Sequence, residues 1–232
     1  MDKIQTMNKI AIIPARGGSK RIPRKNIKEF LGKPIISYAI QVAIESKLFD
    51  KIMVSTDDEE IAEISKQYGA DVPFFRSKEN SDDFSSTVDV IKEVLLKYDR
   101  KFEYGCCIYP CTPLLTVEKL KSSEKLILEK DRDTVFPIVK YSYPPQRGFA
   151  IKDNKVVMIN PLTFSTRTQD LESIYHDAGM FYWFKSEAVF EQNTLFCKNS
   201  EGIILSETET QDIDNLTDWK LAEMKYKLLY TT

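Results

Sequence analysis

Histidine occurs once, at His176, and cysteine only at Cys106, Cys107, Cys111 and Cys197. No C-x-x-C pair is present, so neither a zinc knuckle nor the disulfide framework of a small secreted chain is on offer. The cysteines read as reduced, small apolar residues packed inside. An excess of basic charge is missing too: 33 Lys and Arg stand against 35 Asp and Glu, a formal net charge of −2. That gives no electrostatic case for nucleic acid or an anionic membrane as partner. Long apolar runs are absent, and the stretch at 10–13 that follows the polar residues 1–9 is too short for a signal-peptide core. The expected location is cytoplasmic. With 8 Gly and 10 Pro in 232 residues the chain is neither low-complexity nor collagen-like, and 42% hydrophobic with 29% charged residues is a globular mixture. Its length suits one domain over 1–232, with room for an appendage.

Short β-rich runs alternate with stretches of helical period. Residues 10–13 and 51–55 read as strands, and 35–45 and 59–68 as helices, with Ile61, Ile64 and Tyr68 on one face and Asp57 with Glu60 spaced as a capping box. Further strands are expected at 72–75, 104–109 and 134–139, and helices on the faces Val88, Ile91, Leu95 and Val117, Leu120, Ile127. Such alternation predicts an α/β fold, a mostly parallel sheet covered on both sides, with ligands at the edge where the strands end. Over 141–177 the pattern loosens into a hairpin turning at Asp153-Asn154 and an irregular polar stretch, read as an insertion. Strands near 179–184 and 203–206 and a helix with Trp219, Ala222, Tyr226 and Leu229 on one face complete the chain.

The segment after the first strand carries most of the chemistry. Ala15, Arg16, Gly17, Gly18, Ser19 and Lys20 lead to Arg21, Arg24, Lys25 and Asn26, five cations around two glycines. Backbone without Cβ lets N–H groups approach an anion, and the cations supply the charge a triphosphate needs. Neither G-x-x-x-x-G-K-[ST] nor G-x-G-x-x-G occurs, which argues against a P-loop phosphohydrolase and a dinucleotide fingerprint. Near the C-terminus, Asp212 and Asp214 alternate on an extended run, so both carboxylates can converge on one hard cation, while Asp218 reads as the acid of a helix start.

Residues 12–26, with Gly32-Lys33-Pro34-Ile35, closely resemble the signature of the acylneuraminate cytidylyltransferases, which activate keto-sugar acids by transferring CMP from CTP. The resemblance extends from Lys9 to about Lys225. It implies a three-layer Rossmann-like nucleotidyltransferase fold in which Arg16, Lys20 and Lys25 hold the triphosphate and Asn26 contacts the nucleotide. Phe75-Arg76 and the run 83–87 resemble the family's cytosine and ribose pocket, which makes Arg76, Ser86 and Thr87 nucleotide-side candidates; read alone, the run is a Ser/Thr helix cap. The aspartates matching Asp212 and Asp214 bind metal in the family, so Mg²⁺, or Mn²⁺ in its place, is the implied cofactor, with Asp214 counted among the catalytic residues.

One departure concerns the sugar. Where sialic acid synthetases have Gln-Pro-Thr-Ser-Pro, this chain has Tyr109-Pro110-Cys111-Thr112-Pro113. Together with 143–147, 166–171 and 175–183 this looks most like the branch that uses pseudaminic acid. The sugar-side candidates are Tyr109, Gln146, Arg147, Arg167, Gln169, His176 and Tyr182. Arg167 leads for the sugar's carboxylate, since a planar guanidinium pairs with it bidentately. The same reaction on N-acetylneuraminic, legionaminic or 3-deoxy-manno-octulosonic acid is the alternative, and a silent nucleotide-sugar binding module is the rival from another class. The family commonly dimerises through the inserted segment, so 141–177 is expected to be both the arm of a homodimer and a wall of the sugar site.

Overall fold

The computed structural model describes residues 8–81 and 85–230; Asp83 and Phe84 of the expected nucleotide pocket lie outside them. The strands are β1 (Lys9–Pro14), β2 (Glu29–Phe30), β3 (Lys33–Pro34), β4 (Lys51–Ser55), β5 (Tyr104–Ile108), β6 (Thr134–Lys140), β7 (Phe149–Lys152), β8 (Lys155–Met158), β9 (Tyr175–Asp177), β10 (Phe181–Lys185) and β11 (Ser200–Leu205). The helices are α1 (Ile36–Ser46), α2 (Glu59–Gln67), α3 (Thr87–Lys97), α4 (Val117–Glu129), α5 (Ser186–Gln192) and α6 (Leu216–Tyr230).

The main sheet runs β11-β6-β10-β5-β1-β4, with β9 added alongside β6. β4, β1, β5, β6 and β11 share one direction and β10 opposes it. Period-2 alternation divides the buried side chains between two faces. Ala11 and Ile13, Cys106 and Ile108, and Phe181 and Trp183 pack under α1 and α4. Ile10 and Ile12, Cys107, and Tyr182 and Phe184 pack under α3 and α5. The expected three-layer α/β arrangement is therefore present, and all four cysteines are buried and unpaired. Packing at β5 is tight enough to dictate composition: a Cβ on Gly105 would lie 2.2 Å from the Phe184 ring.

A third apolar cluster matters more for function. Ile22, Cys111 and Ile213, from three separate loops, pack with Phe30, Tyr38 and Trp219. It ties the cation-rich segment, the turn after β5 and the C-terminal aspartates to α6.

Two local expectations are corrected. Residues 72–75 do not form a strand: Asp71 makes an isolated bridge to Met53, and the chain then leaves the sheet. Pro73 has no N–H to continue the ladder, and contact resumes where the Arg76 N–H reaches Thr56 O at 2.8 Å. The cap of α2 is Asp58, which accepts from Ile61 N at 3.0 Å, while Asp57 turns to Gly17. The hairpin of the insertion forms as a separate two-stranded sheet, β7-β8, with Asp153 (φ 51°) and Asn154 (φ 60°) in its turn.

Candidate active site

Because five strands run in parallel, the segments following β1, β4, β5, β6 and β11 emerge at one edge, joined there by Gly179 just before β10. A cavity of about 500 Å³ opens at that edge. It is lined by Arg16, Ser19, Lys20, Arg21 and Lys25 from the segment after β1, by Asp212 and Asp214, and by Arg76, Ser86, Thr87 and Tyr109. Ala15, Gly17 and Gly18 are not part of the lining.

The cation segment is internally braced. Asn26 is buried, donates to Arg16 O at 2.9 Å and accepts from the Cys111 thiol at 3.3 Å. Burial pushes that thiol up to about 12, so it stays protonated and able to donate. Lys25 Nζ reaches across to Ile213 O at 2.7 Å, between the two aspartates. Arg24 differs from the other four cations: its guanidinium is taken by Asp58 and Glu60, away from the cavity.

Arg76 is 8% exposed, and its Nε and Nη2 donate to Ser55 Oγ at 3.1 Å and Ser55 O at 2.5 Å. Burial lowers its proton affinity, but a guanidinium keeps its charge. Ser86 caps α3 in a box with Asp89, so its hydroxyl serves the helix as the cap reading expected. Thr87 begins that helix and meets the Tyr109 hydroxyl at 3.4 Å.

On the acidic side Asp214 pairs with Arg21 at 2.7 Å, and Asp218 accepts from the backbone N–H of Asp214 and Asn215, as the acid of a helix start does. Burial, then the facing Asp214, pushes the Asp212 carboxyl above its ordinary value. Both carboxylates line the cavity, Asp214 against Arg21 and with Lys25 bonded to the backbone between them.

Of the sugar-side candidates only Tyr109 lines this cavity. Tyr182 is 2% exposed, inside the sheet, with its hydroxyl donated to Asp177. Gln146 and Arg147 brace the insertion from within, donating to Glu172 O at 2.7 Å and to Thr168 Oγ1 at 3.1 Å. Arg167 pairs with Asp170 at 2.7 Å on the surface, and His176 packs against the Tyr141 ring, 4.8 Å between centroids. Gln169 lines a second cavity of about 550 Å³, between the insertion and the segment after β11. Ser85, from the run expected at the nucleotide pocket, lines the first cavity, and Asn80 and Cys111 line it without having been singled out for it. Cys111, three residues past the end of β5, was legible from position, since the turn after a parallel strand faces the ligand edge.

The cytidylyltransferase family profile matches residues 10–226. The chain belongs to the cytidylyltransferase family. It is 41% identical over 226 residues to a pseudaminic acid cytidylyltransferase of Campylobacter jejuni, covering 96% of this chain and 97% of that one. It is 31% identical to the CMP-N,N'-diacetyllegionaminic acid synthase of Legionella pneumophila, covering 96% and 97%. Among solved structures, a CMP:2-keto-3-deoxy-manno-octonic acid synthetase complexed with CTP shares the fold, with a TM-score of 0.68 at 14% identity, covering 97% of this chain and all of that one. Family membership makes this a nucleotidyltransferase and the edge cavity its candidate active site.

Proposed function

We propose that this protein transfers CMP from CTP to the anomeric hydroxyl of pseudaminic acid and releases pyrophosphate. The observation that carries the sugar is the 41% identity, end to end, to the Campylobacter pseudaminic acid enzyme. Arg16, Lys20 and Lys25 hold the β- and γ-phosphates, whose charge grows as pyrophosphate departs, and Arg76 offers its remaining N–H groups to the O2 carbonyl of cytosine. The sugar hydroxyl attacks the α-phosphorus in line with the leaving oxygen, and positioning with charge neutralisation supplies most of the acceleration.

The donor set at Asp212 and Asp214 suits a hard dication. Both are carboxylates that line the cavity, and oxygen donors of this kind are what a hard dication takes. Among the described residues no group of three or more His, Cys, Asp or Glu surrounds one point. Asp212 and Asp214 would therefore hold Mg²⁺ together with water and substrate oxygens. When bound it supplies charge to the phosphates and lowers the pKa of a nearby hydroxyl.

The active unit is a homodimer. The insertion exposes Tyr143, Ile151, Val156 and Leu162 at 70% or more, a concentration of apolar surface that solvent disfavours. Gln146 and Arg147 are engaged inside the insertion, whereas Arg167, Gln169 and His176 are exposed on it, on the surface a second copy would meet. No helix of the described residues is long and apolar enough to cross a membrane.

The test is pyrophosphate release from CTP and Mg²⁺ with pseudaminic, N-acetylneuraminic and legionaminic acids in parallel. Release with pseudaminic acid alone is the expected result. Release only with another acid refutes the sugar assignment, and CTP binding with no release from any of the three refutes catalysis in favour of a nucleotide-sugar binding module.

A further inference from the structure

The turn between β4 and α2 lines no part of the edge cavity, yet it grips the cation segment at both ends. At the near end Asp57 Oδ1 accepts the Gly17 N–H at 2.8 Å. At the far end Asp58 takes both Nη1 and Nη2 of Arg24, at 2.5 and 2.9 Å, and Glu60 takes Nη2 again at 2.5 Å. Asp58 is itself fixed, because it caps α2 through the Ile61 N–H. Its carboxyl sits below the ordinary range, held there by the Arg24 hydrogen bond against the opposing effect of burial.

Two features show that the chain is shaped around this contact. A Cβ on Gly17 would lie 2.7 Å from Asp58 Oδ2, so only glycine permits the approach. Arg24 has φ 56° and ψ 31°, the left-handed region that non-glycine residues seldom adopt. The bend sends the Arg24 guanidinium down onto Asp58 while Lys25 and Asn26, next in sequence, line the cavity. Exposed ion pairs usually contribute little, but this one is bidentate, partly buried and anchored to a helix terminus.

We propose that Asp58, assisted by Asp57, is a positioning residue for the phosphates of the nucleotide. The two carboxylates clamp Gly17 and Arg24, and the stretch between them, with Ser19, Lys20 and Arg21, is presented to the triphosphate in one arrangement. Arg24 is the strut of this clamp and touches no phosphate. The inference rests on the reading of the cavity as the CTP site.

The test compares Asp58→Asn, Arg24→Ala, Arg24→Gly and the double variant Asp58→Asn/Arg24→Ala. Asparagine caps a helix as well as aspartate does, so α2 is kept while the charge is lost. Each single variant is expected to raise the KM for CTP about tenfold or more, the scale of a slightly misplaced binding group. The KM for the sugar acid should stay within about twofold, and any fall in kcat at saturating CTP should be smaller than the rise in the CTP KM. The double variant should be no worse than either single one, because both remove the same contact. Arg24→Gly removes the strained backbone together with the guanidinium, and should match Arg24→Ala. Recovery of the wild-type CTP KM in Arg24→Gly would mean that only the bend matters and would overturn the clamp. Multiplying effects in the double variant, or a parallel loss in both KM values and kcat, would overturn it as well. Should Asp58→Asn fail to fold, the two Arg24 variants decide alone. Failure of the wild-type enzyme to release pyrophosphate sinks the proposed reaction, whereas wild-type turnover with an unchanged CTP KM in Arg24→Ala sinks the clamp only.

Discussion

Glu93, on α3, gathers four hydrogen-bond donors. Asn80 Nδ2 reaches it at 2.6 Å, Ser77 N at 2.9 Å, Ser77 Oγ at 3.0 Å and Lys97 Nζ at 2.9 Å. Burial alone would raise its carboxyl, but the bonds from Asn80, Lys97 and Ser77 outweigh this and bring it from 4.5 down to about 2. A tenfold change in proton affinity corresponds to about 1.4 kcal/mol, so this site contributes about 3 kcal/mol to stability at neutral pH, in order of magnitude. The group is depressed on folding, so its contribution is complete above pH 4.5 and is lost as pH falls toward 2. Replacing Glu93 by Gln removes the charge with little change of shape. Urea unfolding followed by the fluorescence of Trp183 and Trp219 should show wild type ahead by about 3 kcal/mol at pH 7, with the gap closing between pH 4.5 and 2. A gap of equal size at pH 7 and pH 3 would refute the assignment of this stability to the ionised carboxylate. Asn80 lines the active-site cavity, so the KM for CTP should rise in the same variant.

Asp214→Ala should lower turnover by about a hundredfold or more, as expected for loss of a main electrostatic stabiliser, with the circular dichroism spectrum unchanged; near-normal turnover in saturating Mg²⁺ would remove Asp214 from the mechanism. Lys20→Ala should weaken CTP more than sugar binding, read as separate KM values, and an unchanged CTP value would count against a triphosphate contact. Leu31 sits at φ 47° in the two-residue turn with Gly32, a conformation asparagine tolerates better. Leu31→Asn should therefore raise stability by about 1 kcal/mol, seen as a higher thermal midpoint.

What could be read from the sequence follows from period and position. β4 was placed to the residue and α1 and α2 nearly so, because apolar spacing is a local property that a packed sheet reinforces. The edge location of Lys20, Asp212 and Asp214 also followed, since parallel strands put their exits together. Three things did not follow. α5 is seven residues long, too short for a period to declare itself. Whether Asp57 or Asp58 caps α2 is decided by Arg24, 34 residues before Asp58 in the chain. Gln146, Arg147, Arg167 and Gln169 lie in a segment with little regular structure, where nothing in spacing tells which way a side chain points. Arg24 was indistinguishable in composition from its cationic neighbours, and only the backbone bend turns it to Asp58 while they line the cavity.

The apolar cluster of Ile22, Cys111 and Ile213 joins three loops that share no hydrogen-bonded ladder, and α6 seals it through Trp219. Loops bonded this way cannot loosen one at a time, because withdrawing any one exposes the apolar surface of the other two. Cation segment, β5 turn and aspartate segment therefore open as one unit, and their amides should exchange with solvent at a common rate, apart from the hairpin of the insertion. A single disturbance at Trp219, which does not line the cavity, reaches the cation segment, the β5 turn and the aspartate segment at once.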